Sequence, residues 1–190
     1  MAAPVGISRD QVVDAAVAVL EEKGRVDGVA LREVAARLGV RTQSLYAHVD
    51  GADGLRHALA LRAHVALADH LQAKAKGKKG AKAIEAIVRA YYDFAVRRPG
   101  LYDATLRPPG DDESMIEVTN AVTQPLNAVL RAYGLDDEQT VHWYRVVFAG
   151  VHGFAILQRD GLFTYAGDPE ESLGHMIQAF VHQIEAEVSG

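Results

Sequence analysis

Six side chains between residues 41 and 48 are of the types that form hydrogen bonds with DNA bases and phosphates. They are Arg41, Thr42, Gln43, Ser44, Tyr46 and His48. In a major groove an arginine suits guanine and a glutamine suits adenine, while hydroxyl and imidazole groups also reach phosphate oxygens. The pattern predicts base reading by the first four and a phosphate contact by His48, and it leaves both a phosphate contact and a packing role open for Tyr46. A solvated polar face, with Tyr46 half-buried between helices, is the alternative.

Two short amphipathic helices are predicted to hold these side chains. Gly39 lies between the two helices. Glycine can adopt the left-handed conformation that ends a helix. The apolar stripe of the first helix contains Leu31, Val34, Ala35 and Leu38, and that of the second begins with Val40, Leu45 and Val49. An earlier helix is predicted from the capping box of Ser8 and Gln11 to Gly24. Residues 1–50 therefore have the pattern of a helix-turn-helix DNA-binding head.

The rest of the chain has helical periodicity and no convincing strand pattern, so the predicted fold class is all-α. Helices are expected at about residues 53–74, 83–98, 113–133, 135–160 and 168–188. The basic, glycine-containing run 74–82 is interpreted as a mobile solvated connection, with phosphate contact as the alternative. Residues 51–190 are expected to form a helical body.

Composition limits the class of protein. The chain has 190 residues, of which 49% are hydrophobic, so it is long enough for one large domain or two small ones. The absence of cysteine excludes disulfides, thiolate zinc sites and a cysteine nucleophile. No apolar run approaches the roughly 20 residues that span a bilayer, and Met1 to Ser8 lack the layout of a signal peptide. We therefore expect a cytoplasmic protein without a membrane partner.

The net charge of −5 is unevenly distributed. Residues 1–79 hold 12 lysines and arginines against 9 acids, whereas residues 80–190 hold 8 against 16. Because phosphate neutralisation is local, the acidity of the second part does not argue against DNA binding by the first.

With these elements assigned, the chain resembles the TetR family of bacterial transcriptional regulators. The resemblance rests on the reading motif, on the order of one head followed by about six body helices, and on a carboxyl-terminal motif. The reading motif is Gly39-Val40-(x)4-Leu45-Tyr46-x-His48, and the carboxyl-terminal motif begins Gly150-Val151-His152-Gly153-Phe154. The second motif is similar to that of a subclass with a His-Gly-Phe signature. The resemblance implies a homodimeric repressor that binds a palindromic operator and is released by a small effector.

Some positions depart from the family pattern, among them Val49, which stands where an aromatic residue usually follows the histidine. Ala30 stands where a serine or threonine usually caps the helix and contacts a phosphate, and Gly51-Ala52-Asp53 lacks the usual lysine. Loss of one phosphate contact is expected to flatten the salt dependence of DNA binding by roughly one unit of slope. Arg41 and Arg56 are candidates to compensate.

In the resembled family the body helices enclose an effector cavity, and aromatic walls with a few polar groups suit an apolar or aromatic ligand. The predicted effector-binding residues are Tyr91, Tyr92, Phe94, Tyr102, Asn120, Gln124, His142, Trp143 and Val147. Leu106, Met115, Val122, Leu126 and Phe148 are further apolar candidates for the same walls. Core packing is the alternative role for most of them.

The last two helices carry more apolar surface than the end of one chain needs. By resemblance they form a four-helix bundle with a second copy, which would place two reading helices roughly 34–36 Å apart. The predicted dimer-interface residues are Val151, Phe154, Leu173, Ile177, Phe180, Val181 and Ile184.

Other chemistry has little support in the residue pattern. Eight histidines are present, but they lack the spacing of a metal clamp or a neighbouring cysteine or carboxylate cluster. We expect no metal, no cofactor and no catalytic residue. Two alternatives stay open: a constitutive DNA-binding dimer without an effector, and a helical enzyme that uses His142 or His152 for acid-base chemistry.

Overall fold

A computed structural model describes residues 6–189, which contain helices and no strand, so the all-α prediction is confirmed. Residues 1–5, on which the signal-peptide expectation partly rests, lie outside the described range. Over residues 6–189, every helix is too short or too polar to cross a lipid bilayer. The α-helices are α1 (Arg9–Lys23), α2 (Leu31–Leu38), α3 (Gly51–Ala75), α4 (Gly80–Arg97), α5 (Pro99–Ala104), α6 (Glu113–Ala132), α7 (Asp137–Arg159) and α8 (Pro169–Ser189), with 3-10 segments at Val26–Gly28 and Thr42–Ala47.

The ends of the helices follow from local side-chain chemistry. Ser8 Oγ accepts a hydrogen bond from the backbone N–H of Gln11 at 3.2 Å, and the Gln11 side chain accepts one from Ser8 at 2.8 Å, as the capping box predicts. Asp136 and Gln139 form the same reciprocal pair at the start of α7. Gly39, with φ of 67°, ends α2 in the left-handed conformation.

The described residues form two compact units. The first contains residues 6–64 and 98–116, and the second contains residues 65–97 and 117–189. Helices α3 and α6 therefore contribute residues to both units. The compact units do not divide at residue 50. The division predicted there, between a DNA-binding head and an effector-binding and dimerisation body, stays a prediction.

In the first unit, α1 packs against both α2 and α5. Its buried stripe includes Val12, Ala16 and Leu20, which are 0% exposed. The Arg62 guanidinium on α3 donates to Asp14 on α1 at 2.6 Å. These contacts give the helix-turn-helix a rigid base, because α1 is fixed from several sides.

Helix α5 is absent from the sequence-based prediction, which ends the preceding helix at Arg98-Pro99-Gly100 and places the next loop at 108–112. The chain turns at that point as predicted, but Pro99 then starts a new helix, a position that proline favours. Its docking is specific. The Arg98 side chain donates to Glu21 at 2.8 Å, and Asp103 accepts a hydrogen bond from the Val26 N–H at 2.8 Å.

In the second unit, α7 packs along α4, and α8 packs against both. Trp143 on α7 donates its indole N–H to Glu187 on α8 at 2.5 Å. Gly150 allows a close approach of these two helices, because a Cβ there would lie 2.6 Å from Cζ of Phe180. Arg89 on α4 pairs with Glu170 on α8 and so holds the other edge of α8.

Substitution of Gly100 by alanine is expected to destabilise the protein by about 1–3 kcal/mol, because the added methyl would overpack the interface between α1 and α5. A Cβ at Gly100 would lie 2.4 Å from the Leu20 carbonyl oxygen, which is backbone and cannot rotate away. Gly174→Ala in α8 is the control, since a Cβ there meets only the Arg89 guanidinium, at an ordinary contact distance of 3.9 Å. The control should gain about 0.5–1 kcal/mol from helix propensity. Urea unfolding followed by far-ultraviolet circular dichroism measures both, and equal effects of the two would contradict the packing argument.

Candidate functional site

Residues 41–48, here called the reading segment, form a short 3-10 helix over Thr42–Ala47 rather than the α-helix predicted. The backbone N–H groups of Ser44 and His48 donate to the carbonyls three residues earlier, each at 2.9 Å. The segment lies between Gly39 and Gly51, which both have positive φ and leave little length for α-helical turns. The tighter 3-10 geometry suits such short pieces.

The 3-10 geometry changes which side chains share an edge, since it has three residues per turn. Thr42, Leu45 and His48 fall on one edge, where Leu45 is fully buried and the other two are partly buried. Gln43 and Tyr46 form a second edge and Arg41 and Ser44 begin the third, and all four are exposed. Tyr46 is 55% exposed, so its ring is not enclosed between helices. The six predicted DNA-binding residues therefore divide into four outward and two flanking positions.

Several charged groups around the reading segment are already paired within the protein. Arg37 donates to Glu22 at 2.7 Å, and Lys23 pairs with Glu33 at 2.8 Å. Arg56 donates to Asp53 at 2.8 Å within the first turn of α3, so a phosphate would have to compete with this carboxylate for the guanidinium. Arg41, by contrast, is exposed and makes no ion pair with residues 6–189.

Ala30 affects the start of α2 less than its type suggests. The Glu33 carboxylate accepts a hydrogen bond from the Ala30 backbone N–H at 3.3 Å, so half of the capping box forms without a side-chain oxygen at position 30. The pKa of Glu33 lies below its usual value because Lys23 and this N–H donate to the carboxylate.

The second unit encloses an apolar cavity among α3, α4, α6 and α7. Its volume is about 20 Å³, enough for one water molecule and far below the roughly 300–1,000 Å³ of typical ligand pockets. The lining residues are Leu71, Ile87, Val88, Tyr91, Val122, Leu126, Tyr144, Val147, Phe148 and Val151. We refer to this space as the apolar cavity.

Aromatic rings form one side of the apolar cavity. Phe148 packs edge-on to Tyr91 with 5.6 Å between ring centroids, and it stacks on Tyr144 at 5.8 Å. Burial raises the pKa of Tyr144 to about 12, so its hydroxyl stays protonated at neutral pH. The wall is therefore aromatic and uncharged at neutral pH, since no charged side chain lines it.

Of the nine predicted effector residues, Tyr91 and Val147 line the apolar cavity. Asn120, Gln124 and His142 are exposed, and Trp143 is directed to Glu187 of α8. The other three are packed elsewhere: Tyr92 against Phe154 at 5.8 Å, Phe94 against His70 at 6.0 Å, and Tyr102 fully buried in the first unit. A ligand role for these seven stays a prediction.

The wall residues that the sequence reasoning assigned to no cavity are Leu71, Ile87, Val88, Tyr144 and Val151. A signal for some of them is present in the chain, because Tyr144, Val147 and Val151 share one stripe of α7 at helical spacing. His142 and Trp143 lie on other sides of that helix.

The predicted dimer residues are mostly used within the chain. Val151, Leu173, Ile177 and Ile184 are at most 3% exposed, so they offer almost no area to a second copy in this conformation. Phe154, Phe180 and Val181 are partly buried. The exposed apolar side chains of α7 are instead Val141, Val146 and Leu157, which are 46%, 49% and 41% exposed.

The histidines do not build a metal site in the described chain: no group of three or more histidine and carboxylate side chains among residues 6–189 is placed to hold an ion. His142 faces Glu138 at 3.7 Å on the surface of α7. His152 stacks on Phe148 with 5.9 Å between ring centroids, and burial lowers its pKa.

Comparison with known proteins gives consistent matches. Residues 84–180 match the family model described as the tetracyclin repressor-like, C-terminal domain. The chain is 31% identical over 182 residues to the uncharacterized HTH-type transcriptional regulator YobS of Bacillus subtilis, covering 95% of this chain and 94% of YobS.

Solved structures have the same fold. A protein of unknown function from Rhodococcus sp. RHA1 superposes with a TM-score of 0.80 at 22% identity, covering 96% of this chain and 98% of that one. The TetR family protein ActR of Streptomyces coelicolor, solved in complex with (S)-DNPA, superposes with a TM-score of 0.69 at 18% identity, covering 98% and 100%.

The two neighbouring residues Leu45 and Tyr46 should respond differently to truncation. Leu45 is 0% exposed, so Leu45→Ala is expected to cost about 2–5 kcal/mol of stability. Tyr46→Ala removes a 55% exposed ring and should change stability by less than about 0.5 kcal/mol. Denaturant titration of both variants tests this assignment. A large loss of stability in Tyr46→Ala would show that the ring is a packing residue instead of a free contact group.

Proposed function

Because the chain belongs to the TetR family of transcriptional regulators, we propose that it is a cytoplasmic, homodimeric repressor that binds a palindromic operator and responds to a small effector. The observation that carries this proposal is the polar, exposed part of the reading segment, supported from below by buried Leu45. The family consists of regulators rather than enzymes, so the enzyme alternative based on His142 and His152 is set aside.

The reading segment is proposed to enter the major groove with its two exposed edges toward the bases. Gln43 and Arg41 have the side chains that suit adenine and guanine. Ser44 and Tyr46 lie on the same edges and can donate to bases or to phosphate oxygens. Thr42 and His48 lie on either side of Leu45 along the buried edge and are only partly buried, so we assign them to phosphate contacts at the groove margin.

A second copy of the chain is proposed to pair through α7 and α8, so that two reading segments meet successive turns of DNA. The exposed stripe of α7 contains Val146, Ala149 and Leu157, which are exposed, and Gly153, which is partly buried, at helical spacing. Small residues at its centre would let two helix backbones approach closely. This stripe replaces the buried residues Val151, Leu173, Ile177 and Ile184 as the proposed centre of the interface.

The proposed effector is an apolar or aromatic molecule that opens the apolar cavity. The closed volume requires a wall to move, and α6 is the best candidate because Pro125 lies inside it beside Leu126. Proline lacks an N–H, so one helical hydrogen bond is missing at this wall. The structural neighbour ActR, which was solved with a bound small molecule, supports ligand binding in this fold.

The proposed mechanism is a shift of populations. An effector that fits only the opened cavity binds one conformation better and so increases its share. Leu71 in the cavity wall belongs to α3, and α3 begins directly after the reading segment. A displacement of α3 would change the spacing of the two reading segments and lower operator affinity.

The His-Gly-Phe signature is proposed to mark a subclass of the family. In this chain His152 stacks on Phe148, Gly153 lies on the exposed stripe, and Phe154 packs against Tyr92. Three consecutive residues of the motif would thus contact the cavity wall, the proposed dimer face and helix α4, respectively.

A constitutive dimer without an effector is the second candidate, and one observation favours it. The lining side chains leave only about 20 Å³ of free volume in the apolar cavity. The two candidates differ in whether any small molecule can open it.

Removal of the exposed reading side chains should change sequence preference. Arg41→Ala and Gln43→Ala are each expected to cost about 1–3 kcal/mol in binding and to relax selection at one base pair. Arg97→Ala, which removes an equal charge from an exposed site on α4, is the control. Selection of bound DNA from a random pool, followed by fluorescence anisotropy, measures both effects. An unchanged selected sequence in both reading variants would reject base reading by these residues.

Filling the apolar cavity should remove the effector response while DNA binding persists. Neutral aromatic compounds that raise the melting temperature are expected to weaken operator binding by about 5- to 150-fold. Val147→Phe in the cavity wall should abolish this response, whereas Val65→Phe at a 43% exposed position should keep it. The measurement is operator anisotropy with and without each compound. If tightly bound compounds leave operator affinity unchanged in the unmodified protein, the constitutive alternative is correct.

A further inference from the structure

Four buried side-chain oxygen and nitrogen atoms of the second unit have no hydrogen-bond partner among residues 6–189. We call them the unpaired atoms, and they are His70 Nε2, Thr119 Oγ1, Asn127 Oδ1 and Thr140 Oγ1. Buried polar atoms in folded proteins are almost always paired, because an unpaired one has lost its contact with water and has gained no bond in return. The unpaired atoms therefore need an explanation, and their positions supply one.

The unpaired atoms lie on helices that form the wall of the apolar cavity. One is on α3, two are on α6 and one is on α7. Each belongs to a residue that is within about one helical turn of a lining residue. The nearest lining residues along the chain are Leu71, Val122, Leu126 and Tyr144, at one, three, one and four positions from them. Polar atoms without partners thus adjoin the apolar space on three of its helices.

The hydroxyl of Thr140 lies on the cavity side of α7. Thr140 is 1% exposed. It precedes the lining residues Tyr144, Val147 and Val151 at successive steps of four, three and four positions, which is the spacing of one helical stripe. The Thr140 backbone N–H donates to the Asp136 carbonyl at 2.9 Å, so the helix is regular at this point. The side-chain hydroxyl, however, is without a partner among the described residues.

Other threonines of the chain pair their hydroxyl groups locally. Thr105 donates its hydroxyl to the Tyr102 carbonyl at 2.7 Å, and Thr123 donates its hydroxyl to the Asn120 carbonyl at 3.0 Å. A threonine in a helix commonly bonds to a carbonyl of the preceding turn in this way. Thr140 does not form this local bond, so its hydroxyl is available to a molecule in the cavity.

The unpaired atoms lie toward two ends of the apolar cavity. Thr119 and Asn127 are eight positions apart on α6, about 12 Å along the helix axis. The lining residues Val122 and Leu126 lie between them in the sequence. Asn127 and Thr140 are both near the turn that joins α6 to α7. One end therefore has an amide oxygen and a hydroxyl, and the other end has the hydroxyl of Thr119.

His70 adds an imidazole on the α3 side of the cavity. Its ring centroid lies 6.0 Å from that of Phe94, so an aromatic contact holds the ring. Phe94 follows the lining residues Ile87 and Tyr91 on one stripe of α4. An imidazole nitrogen donates or accepts according to its tautomer, a hydroxyl does both, and an amide oxygen accepts. The unpaired atoms can therefore pair with both donors and acceptors of a ligand.

We propose that the effector is a flat, neutral molecule with an apolar ring system and a hydroxyl or carbonyl group at each end. The rings occupy the opened apolar cavity, and the end groups bond to the unpaired atoms. A charged end group is unsuitable, because no charged side chain lines the cavity and a buried charge needs a partner. The proposal rests on the effector-binding function proposed above and names the chemical class of its ligand.

Three compounds with one ring system test this ligand class on the full chain. Naphthalene, 2,6-dihydroxynaphthalene and naphthalene-2,6-dicarboxylate differ only in their end groups. The diol is expected to bind at least about tenfold more tightly than naphthalene, since a site with unpaired polar groups rejects a ligand that lacks the matching groups. The dicarboxylate should bind most weakly of the three. Isothermal titration calorimetry measures the dissociation constants.

Removal of one hydroxyl should weaken the preference for the diol. Thr140→Val keeps the shape of the side chain and is expected to reduce the ratio of the two affinities, diol over naphthalene, by about 3- to 10-fold. The affinity for naphthalene should stay the same. Thr123→Val is the matched control, because the Thr123 hydroxyl is already paired with the Asn120 carbonyl. The control should keep the full preference for the diol.

Thermal unfolding without a ligand gives a second readout. Thr140→Val should raise the melting temperature by about 2–4 °C, because the variant removes a buried hydroxyl that has no partner. Thr123→Val should lower the melting temperature, since it removes a paired hydroxyl. Far-ultraviolet circular dichroism measures both. An equal fall for the two variants would show that the Thr140 hydroxyl already has a partner, such as a bound water, and would overturn the proposal.

The compounds also separate this proposal from the proposed effector response. Equal dissociation constants for naphthalene and the diol would overturn the polar end groups, and the binding of an apolar effector would stand. Tightest binding by the dicarboxylate would overturn the neutral class in the same way. If none of the three compounds binds to the unmodified protein, the opening of the cavity is rejected, and the proposed effector response fails together with this proposal.

Discussion

The burial of one stripe of α7 against α4 is the constraint on which the second unit depends. Val147, Val151 and Ala155 are at most 2% exposed, and Tyr144 and Phe148 lie beside them. With 3.6 residues per turn, fixing this stripe also fixes the opposite side of the helix. The residues left outward are Val146, Ala149, Gly153 and Leu157. The packing of this one stripe thus determines both the position of the apolar cavity and the surface that is proposed to contact a second copy.

In the first unit a difference of helical period has a similar effect. An α-helix over the reading segment would spread its six polar residues over a broad face. The 3-10 geometry instead groups Thr42 and His48 with buried Leu45 and leaves Arg41, Gln43, Ser44 and Tyr46 in two outward rows. The six residues are those predicted from the sequence, but which of them are directed outward follows from the tighter turn.

Local chemistry made much of the fold predictable. The capping box at Ser8, the stop at Gly39 and the acidic start near Asp136 are short-range signals, and the structure has helix ends at each. Helix α5 was missed because six residues show no periodicity, and its helical state depends on docking to Leu20 and Glu21 of α1. Tertiary contacts of that kind have no local signature.

The residues of the cavity wall and of the proposed dimer face were harder to predict from the sequence. Periodicity shows that a helix has a buried side, but it does not show what covers that side. Trp143 was read as a cavity residue, yet its N–H is committed to Glu187, a partner 44 positions away. Val151 was placed at the dimer interface, yet it lines the apolar cavity. The relative rotation of packed helices decides which apolar residues face an effector, a core or a partner. The sequence pattern of one chain does not contain this rotation.

The pairing of Arg56 with Asp53, together with Ala30 in place of a hydroxyl residue, has a consequence for how a transcriptional regulator finds its site. Phosphate contacts supply most of the affinity for arbitrary DNA, and a chromosome offers about 10⁶–10⁹ competing positions. A protein that contacts phosphates with few cations binds this excess of non-operator DNA more weakly. A larger share of its molecules stays free to search, and a low copy number can then keep a single operator occupied.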